Sequence, residues 1–273
     1  MSKIVSVQDI SCYGQCSITV ALPILSAYGI ETAILPSAIL SNHTADCFNG
    51  FTVLDLTEEM PKIVDRWRQE NIRFDAIYTG YIGDARQFDF IRDMKDLLNE
   101  GSLVIVDPAM ADNGKLYSAL GPDIVAGMRR LVAAADIIMP NLTEAALLLD
   151  IPYNETPDRL EVMDMATRLA DMGPETVILT GVSFEENNIG AVAYSRSKDK
   201  IVEYFTERIP KNYHGTGDVF SSVLVAKLVS GQPVYECLKA ACDFVVEAIK
   251  ETIPDSEHVY GVKFEHVLAK ERL

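Results

Sequence analysis

The sequence predicts an α/β protein with a central, mostly parallel β-sheet and helices on both faces. Short apolar runs alternate with longer segments of helical periodicity along most of the 273 residues, a pattern typical of strand–helix–strand units. One run, at 103–106, is apolar at every position, as expected of a parallel strand covered on both faces. Two later runs, 190–194 and 201–205, flank a polar turn and predict an antiparallel hairpin at the sheet edge.

The elements predicted in the first part of the chain are a strand at 4–7, a turn from Asp9 to Gly14, a helix at 18–28 closed by Gly29, and a strand at 32–35. Residues 36–52 are polar and aperiodic, and predict a long irregular excursion of the kind that is usually functional. Thr57 is expected to cap a helix at 58–70. Further strands are predicted at 76–79, 137–139 and 177–179, and further helices at 85–99, 121–134, 142–149, 157–172, 217–228 and 234–249.

Composition limits the functional classes. The chain is 48% hydrophobic and 23% charged, which predicts a globular fold, and no linker divides it, so we expect a single domain over 1–273. The net charge of −16 argues against a nucleic-acid partner. No apolar run is long enough to span a membrane, so no membrane partner is expected. The five cysteines form no C-x-x-C pair, which predicts a reducing, cytoplasmic location.

Polar residues follow the ends of several predicted strands. The carboxyl ends of parallel strands meet at one edge of a sheet, where ligands bind in open α/β folds. We therefore expect the polar residues at these strand ends to lie close together. They are Asp9, Ser11, Tyr81, Asp107, Asp112, Asn141, Glu144 and Thr180.

The segment His214-Gly215-Thr216-Gly217-Asp218 leads directly into a predicted helix. Two glycines around a threonine allow backbone N–H groups to turn inward, and a helix N-terminus adds positive charge. Together they predict a site for a phosphoryl group. The alternative is that the glycines only close a tight turn, that Asp218 is an ordinary first-turn residue, and that His214 only packs beside the turn.

Asp107, Asp112 and Glu144 are candidates for a magnesium site, because Mg²⁺ on substrate phosphates is usually held by one or two carboxylates and water. Asp107 and Asn141 have a structural alternative, as caps of the helices that follow them. The sequence contains no G-x-x-x-x-G-K-[ST], no G-x-G-x-x-G after the first strand, no G-x-S-x-G and no H-E-x-x-H.

The segment Gly215-Thr216-Gly217-Asp218 resembles the anion-hole and catalytic-base motif of the ribokinase-like (PfkB) superfamily. Within that superfamily the chain is similar to the pyridoxal/pyridoxamine kinases, and the likeness runs from the first strand to about residue 250. Four further segments carry it, with the sequences SNHT at 41–44, TGYIG at 79–83, DPAMADNG at 107–114 and PNLTEA at 140–145.

The resemblance implies ATP-dependent transfer of the γ-phosphoryl group to the 5′-hydroxyl of a B6 vitamer in pyridoxal phosphate salvage. It implies that Asp218 is the catalytic base and that Gly215, Thr216 and Gly217 stabilise the transferring group. Thr44 and Tyr81 match positions that line the vitamer pocket, and Asp9, Ser11 and His43 are further candidates for holding the vitamer. ATP would be held by Asn141, Glu144, Thr180, Thr216 and Gly217, and Mg²⁺ by Asp107, Asp112 and Glu144. K⁺ is a further candidate cofactor, and a homodimer is expected.

One position departs from the family pattern. Relatives typically carry Ser after the glutamine of the first strand, whereas Asp9 follows Gln8 here. A carboxylate would suit the aminomethyl group of pyridoxamine, unless Asp9 only caps the turn. Two other functions remain open. A hydroxymethylpyrimidine kinase of the same superfamily is one, although many of those carry Cys where Asp218 stands. A catalytically silent sensor of vitamer or nucleotide is the other.

Overall fold

The computed structural model describes residues 2–44 and 47–271, and its centre is a nine-stranded sheet. The sheet strands are β1 (Lys3–Ser11), β2 (Glu31–Leu40), β3 (Val53–Asp55), β4 (Phe74–Thr79), β5 (Leu98–Val106), β8 (Ile137–Ile138), β9 (Thr176–Val182), β10 (Asn188–Ser195) and β11 (Lys200–Glu207), and a separate small hairpin is formed by β6 (Ala111–Asp112) and β7 (Lys115–Leu116). The order across the sheet is β11-β10-β9-β8-β5-β4-β1-β2-β3. All pairs from β2 to β9 are parallel, and both edges are antiparallel, so the predicted edge hairpin is confirmed as β10–β11.

Helices cover both faces of the sheet, as predicted. They are α1 (Ile18–Ala27), α2 (Met60–Gln69), α3 (Arg86–Asp93), α4 (Asp123–Val132), α5 (Leu142–Leu149), α6 (Arg159–Asp171), α7 (Thr216–Val229), α8 (Val234–Thr252) and α9 (Phe264–Glu271). Side chains of α1, α7, α8 and α9 form one core layer and those of α2 to α6 form the other. Strand residues alternate between the layers: Tyr78 and Ile105 join the first, and Ile77 and Val104 join the second. Among the described residues no helix combines the length and apolarity that a membrane span requires.

The direction of chain winding reverses at β1. From β1 the chain moves outward to β2, and it later returns to build β4, β5, β8 and β9 on the opposite side of β1. In open α/β sheets the crevice at such a reversal, outside the carboxyl ends of the strands, is the usual ligand site. The fold therefore places the ends of β1 and β4 at the centre of the candidate site.

Several predicted boundaries are wrong, and polar residues cause most of the errors. β1 continues to Ser11, so Asp9 and Ser11 lie within the strand and not in a turn. β2 continues to Leu40, so residues 36–40 are strand and not part of an irregular excursion. Both extensions carry buried polar side chains, which on sequence alone are typical of loops.

The remaining differences concern helices and small elements. Thr57 caps no helix: α2 begins at Met60, and the Thr57 hydroxyl instead accepts a hydrogen bond from Gln87 Nε2 at 2.8 Å. The helix predicted at 85–99 ends at Asp93, and a 3₁₀ turn (Met94–Leu97) leads into β5. The sequence patterns did not predict the hairpin β6–β7 or helix α9.

Candidate active site

The segment Gly215-Thr216-Gly217, called the anion loop below because the sequence predicts a phosphoryl site there, turns directly into the N-terminus of α7. Gly215 is the residue preceding the helix and has φ +77°, a left-handed conformation that glycine adopts without strain. A Cβ at this position would lie 2.0 Å from the carbonyl oxygen of Gln15, so the loop after β1 contacts the anion loop backbone to backbone. Thr216 and Gly217 open the first turn of α7, where backbone N–H groups have no partner within the helix.

Asp218 lies in the first turn of α7, between the segments that follow β1 and β5. Loss of water around the carboxyl, together with the charges of Asp107 and Asp9, raises its pKa to about 7. The backbone amide of Ser17 opposes this shift by stabilising the ionised form. Asp218 is therefore a half-buried carboxyl that changes protonation near neutral pH, as a general base does.

Ser17 links two carboxyls of the site. Its φ of +54° is a strained value for a serine, and it starts α1 without a side-chain cap. The Ser17 amide faces Asp218, and its hydroxyl stabilises the ionised form of Asp9. Nothing in the sequence pattern singled out Ser17, because its importance depends on a backbone conformation that appears only in the folded chain.

Asp9 is 3% exposed at the end of β1 and accepts a hydrogen bond from Ser11 Oγ at 2.8 Å. Burial raises its pKa, while the Ser17 and Ser11 hydroxyls lower it. The Asp9 charge and burial also raise the pKa of Tyr81 to about 12, with burial the larger cause. Asp9, Ser11 and Tyr81 thus lie together at the ends of β1 and β4, as the sequence predicted.

His43 packs between the loop after β1 and the residue before the anion loop. Its ring is 4% exposed and packs so closely on Gly14 that a Cβ there would lie 2.0 Å from His43 Cδ2. It also contacts His214, with ring centroids 5.6 Å apart. Burial and the neighbouring His214 lower the pKa of His43, which favours its neutral form. Thr44, the next residue, is half-buried.

The chain segment before α9 holds His43 and the loop after β1 in place. The carbonyl of Tyr260 accepts a hydrogen bond from Gln15 N at 2.9 Å and lies 3.2 Å from His43 Nε2. The Gln15 side chain bonds His258 at 2.8 Å and Glu265 at 2.7 Å. The likeness seen in the sequence stops near residue 250, so this contribution of the C-terminal segment was missed.

Asn141 and Glu144 form a capping box at the start of α5, so the structural alternative for Asn141 is confirmed. Glu144 Oε2 accepts from Asn141 N at 2.9 Å, and Oε1 accepts from Met110 N at 3.1 Å. Asn141 Nδ2 donates to Ala111 O at 2.8 Å. The pair therefore fixes the 107–114 loop against α5. Thr180 lies one strand away, where its N–H donates to Pro140 O at 3.0 Å.

Asp107 caps no helix and instead faces α7, where its Oδ2 accepts a hydrogen bond from Ser221 Oγ at 2.5 Å. Burial first, and the charge of Glu144 second, raise the pKa of Asp107. Burial also raises the pKa of Glu144, and the charge of Asp112 adds to this. Asp112 itself is exposed on β6. Asp107 and Glu144 are thus buried electrostatic neighbours, and Asp112 adds its charge from the surface.

These carboxyls fit a cation held mainly by substrate phosphates. Within residues 2–44 and 47–271, no three His, Cys, Asp or Glu side chains converge into a metal-holding group. Mg²⁺ on a nucleotide requires only one or two carboxylates. Asp107 supplies an oxygen donor close to Asp218, and the mutual repulsion of the buried carboxyls would be relieved by a bound cation.

Comparison with known proteins agrees with this geometry. Residues 28–262 match the model of the family described as phosphomethylpyrimidine kinase. Pyridoxal kinase from Ovis aries is 28% identical over 270 residues, which cover 92% of this chain and 84% of the ovine protein. Pyridoxal kinase from Lactobacillus plantarum is 30% identical with a TM-score of 0.91, over 99% of this chain and 96% of that structure.

A structure from Bacteroides thetaiotaomicron is more similar still. This provisionally named phosphomethylpyrimidine kinase, solved with pyridoxal, is 39% identical with a TM-score of 0.94, over 100% of this chain and 96% of its own. The family match and these relatives confirm the resemblance to pyridoxal kinases that the segments at 41–44, 79–83, 107–114 and 140–145 carry. The chain belongs to the phosphomethylpyrimidine kinase family.

Proposed function

We propose that this protein transfers the γ-phosphoryl group of ATP to the 5′-hydroxyl of a B6 vitamer. The observation that carries the proposal is the position of Asp218, at the N-terminus of α7 beside the anion loop and electrostatically coupled to Asp9. Phosphoryl transfer requires mainly alignment and charge neutralisation. The family match and the pyridoxal bound to the relative from Bacteroides thetaiotaomicron support the assignment.

Asp218 would act as the general base. Its pKa of about 7 means that the carboxylate predominates above neutral pH and accepts the proton of the vitamer hydroxyl. The Ser17 amide holds the carboxylate as the proton is transferred. The N–H groups of Thr216 and Gly217, together with the positive end of α7, would stabilise the transferring phosphoryl group.

The nucleotide side of the site is assigned to the ends of β5, β8 and β9. Asp107 would hold Mg²⁺, which neutralises phosphate charge when it is bound. Glu144 would contribute its charge, because its two oxygens already accept backbone N–H groups. Asp112 would reach the ion through water from the rim, and Asn141 and Thr180 would line the phosphates. A K⁺ requirement, a homodimer, a single domain and a cytoplasmic location stay predictions.

The vitamer side is assigned to Asp9, His43, Thr44 and Tyr81, with Ser11 holding Asp9. These residues lie at the ends of β1 and β4 and on the segment after β2. His43 would contribute an uncharged ring, because burial and the neighbouring His214 lower its pKa. Asp9 contributes the negative charge that a protonated aminomethyl group would recognise.

A hydroxymethylpyrimidine kinase is the second candidate, and the family description favours it. Its substrate is also a small heteroaromatic alcohol. A kinase assay with pyridoxal, pyridoxamine, pyridoxine and hydroxymethylpyrimidine, each with Mg-ATP, separates the candidates. We expect kcat/KM to be higher for a B6 vitamer than for the pyrimidine. Binding of vitamer without phosphorylation of any alcohol would instead support the sensor.

Asp218→Asn tests the proposed base. The substitution keeps the size of the side chain but cannot accept the proton, so kcat should fall by roughly 10²–10⁴-fold, the range expected for general-base loss. KM for pyridoxal and the Tm should change little. The assay measures initial rates at saturating Mg-ATP, and a variant that keeps more than about a third of wild-type kcat would refute the assignment.

The segment after β2 is expected to become more ordered when vitamer binds. His43 packs against both Gly14 and His214, so this segment would cover the reacting groups and exclude water from them. Residues 45 and 46 of this segment lie outside the described residues. Amide hydrogen exchange at 42–44 and 47–50 should slow when pyridoxal is added, while exchange in α6 stays constant. Unchanged exchange at saturating pyridoxal contradicts a covering role.

Asp9→Ser tests the basis of vitamer choice. A carboxylate facing an aminomethyl cation forms a charge-assisted hydrogen bond worth about 1.5–3 kcal/mol, whereas the pyridoxal aldehyde offers only an acceptor. The variant should therefore lower kcat/KM for pyridoxamine relative to pyridoxal by about tenfold. Using the ratio within one variant cancels any general loss of stability. A ratio within about twofold of wild type would mean that vitamer choice is set elsewhere.

A further inference from the structure

Ser221 occupies an unusual position on α7. It lies one turn beyond Asp218 and is 2% exposed, and its hydroxyl donates a hydrogen bond to Asp107 Oδ2 at 2.5 Å. The two residues are 114 positions apart in the sequence. A hydrogen bond to a carboxylate is shorter and stronger than one between neutral groups. This contact therefore ties the end of β5 to the helix that carries the proposed base.

The neighbouring serine shows that this arrangement is not forced by the helix. A helical serine usually bonds the backbone carbonyl four residues earlier. Ser222, fully buried, does so, and its Oγ donates to Asp218 O at 2.6 Å. Ser221 instead directs its hydroxyl out of the helix to the side chain of Asp107, which directly follows β5. The same residue type in two adjacent positions thus offers a matched pair for experiment.

The contact fixes the orientation of Asp107. The Asp107 carboxylate lies in a region of high negative charge, with Glu144 beside it and Asp218 on the facing helix. Tyr78 and Tyr117 also lie close enough to sense its charge. Without a donor on Oδ2, repulsion would favour rotation of the carboxylate away from both acidic neighbours. A hydroxyl donor on Oδ2 and a backbone amide at Ala109 oppose that rotation.

We propose that Ser221 is a positioning residue that holds the Asp107 carboxylate for the Mg²⁺ of the nucleotide. The inference rests on the proposed function, because it takes Asp107 as the carboxylate that binds the cation. Since Ser221 and Asp218 share one helix turn, α7 sets the base and the cation-binding carboxylate relative to each other. Residues that orient a metal ligand in this way typically change metal affinity or activity by about 10–100-fold when removed.

The test measures cation binding without turnover. Isothermal titration calorimetry follows ADP binding to the wild type, Ser221→Ala, Ser221→Thr and Ser222→Ala over a range of Mg²⁺ concentrations and in EDTA. Ser221→Ala should weaken the apparent Mg²⁺ affinity of the ADP complex by about tenfold. ADP binding in EDTA should stay within about twofold, and Ser221→Thr should restore most of the affinity, because it keeps the hydroxyl.

Two controls make the result specific. Ser222→Ala removes an equally buried hydroxyl from the next position and should change the Tm but not the Mg²⁺ affinity. Ser221→Ala should have no further effect in an Asp107→Asn background, because the group that it positions is then altered. Where Ser221→Ala does not fold, Ser221→Cys replaces it, since a thiol is only a weak donor.

The inference is overturned if Ser221→Ala keeps its Mg²⁺ affinity within about twofold of wild type. It is also overturned if Ser222→Ala weakens Mg²⁺ affinity as much as Ser221→Ala does. Neither result affects the proposed function, because the wild type would still bind Mg-ADP and phosphorylate a vitamer. Failure of the wild type to bind Mg-ADP would overturn both. Steady-state rates provide a second readout, in which a role through Mg²⁺ lowers kcat at limiting Mg²⁺ more than at saturating Mg²⁺.

Discussion

The site depends on one backbone contact, between Gly215 and the carbonyl of Gln15. At Gly215, any side chain would place its Cβ 2.0 Å from that oxygen, and the backbone has φ +77°. The contact seats the loop after β1 against the anion loop, and this brings the Ser17 amide to Asp218. In the proposed reaction, the loop after β1 lies on the vitamer side of the site, and the anion loop holds the phosphoryl group. The contact therefore joins the two halves of the proposed reaction.

The second feature of the site is its concentration of acidic groups. Asp9, Asp107, Glu144 and Asp218 come from four different segments, and burial raises the pKa of each. Backbone amides and hydroxyls partly compensate for the repulsion, through Ser17 at Asp218, Ser221 at Asp107 and Met110 at Glu144. Buried carboxyls that repel one another in this way are suited to bind a cation. They are also suited to supply a carboxylate that accepts a proton near neutral pH.

Much of this could be predicted from local patterns, and the exceptions have a common cause. Apolar runs predicted the parallel strands, and the glycines before α7 predicted the anion loop with Asp218, because both signals are contiguous in sequence. The ends of β1 and β2 were misjudged, since buried polar residues such as Asp9 look like loop residues. Ser17, Ser221 and Tyr260 were missed altogether, because each acts through a partner that is distant in the sequence or through backbone geometry.

The most direct test compares Gly215→Ala with Gly231→Ala. Gly231 follows α7 with φ +75°, and a Cβ added there would meet nothing within 4 Å. Both variants therefore introduce similar backbone strain, but only Gly215→Ala disrupts the contact with Gln15. The measurement is kcat/KM for pyridoxal with Mg-ATP. We expect kcat/KM to fall by at least about 100-fold in Gly215→Ala, because displacing reacting groups by an ångström has effects of that order. In Gly231→Ala we expect kcat/KM to stay within about threefold of wild type. Equal activity of the two variants would contradict the claim that this contact assembles the site.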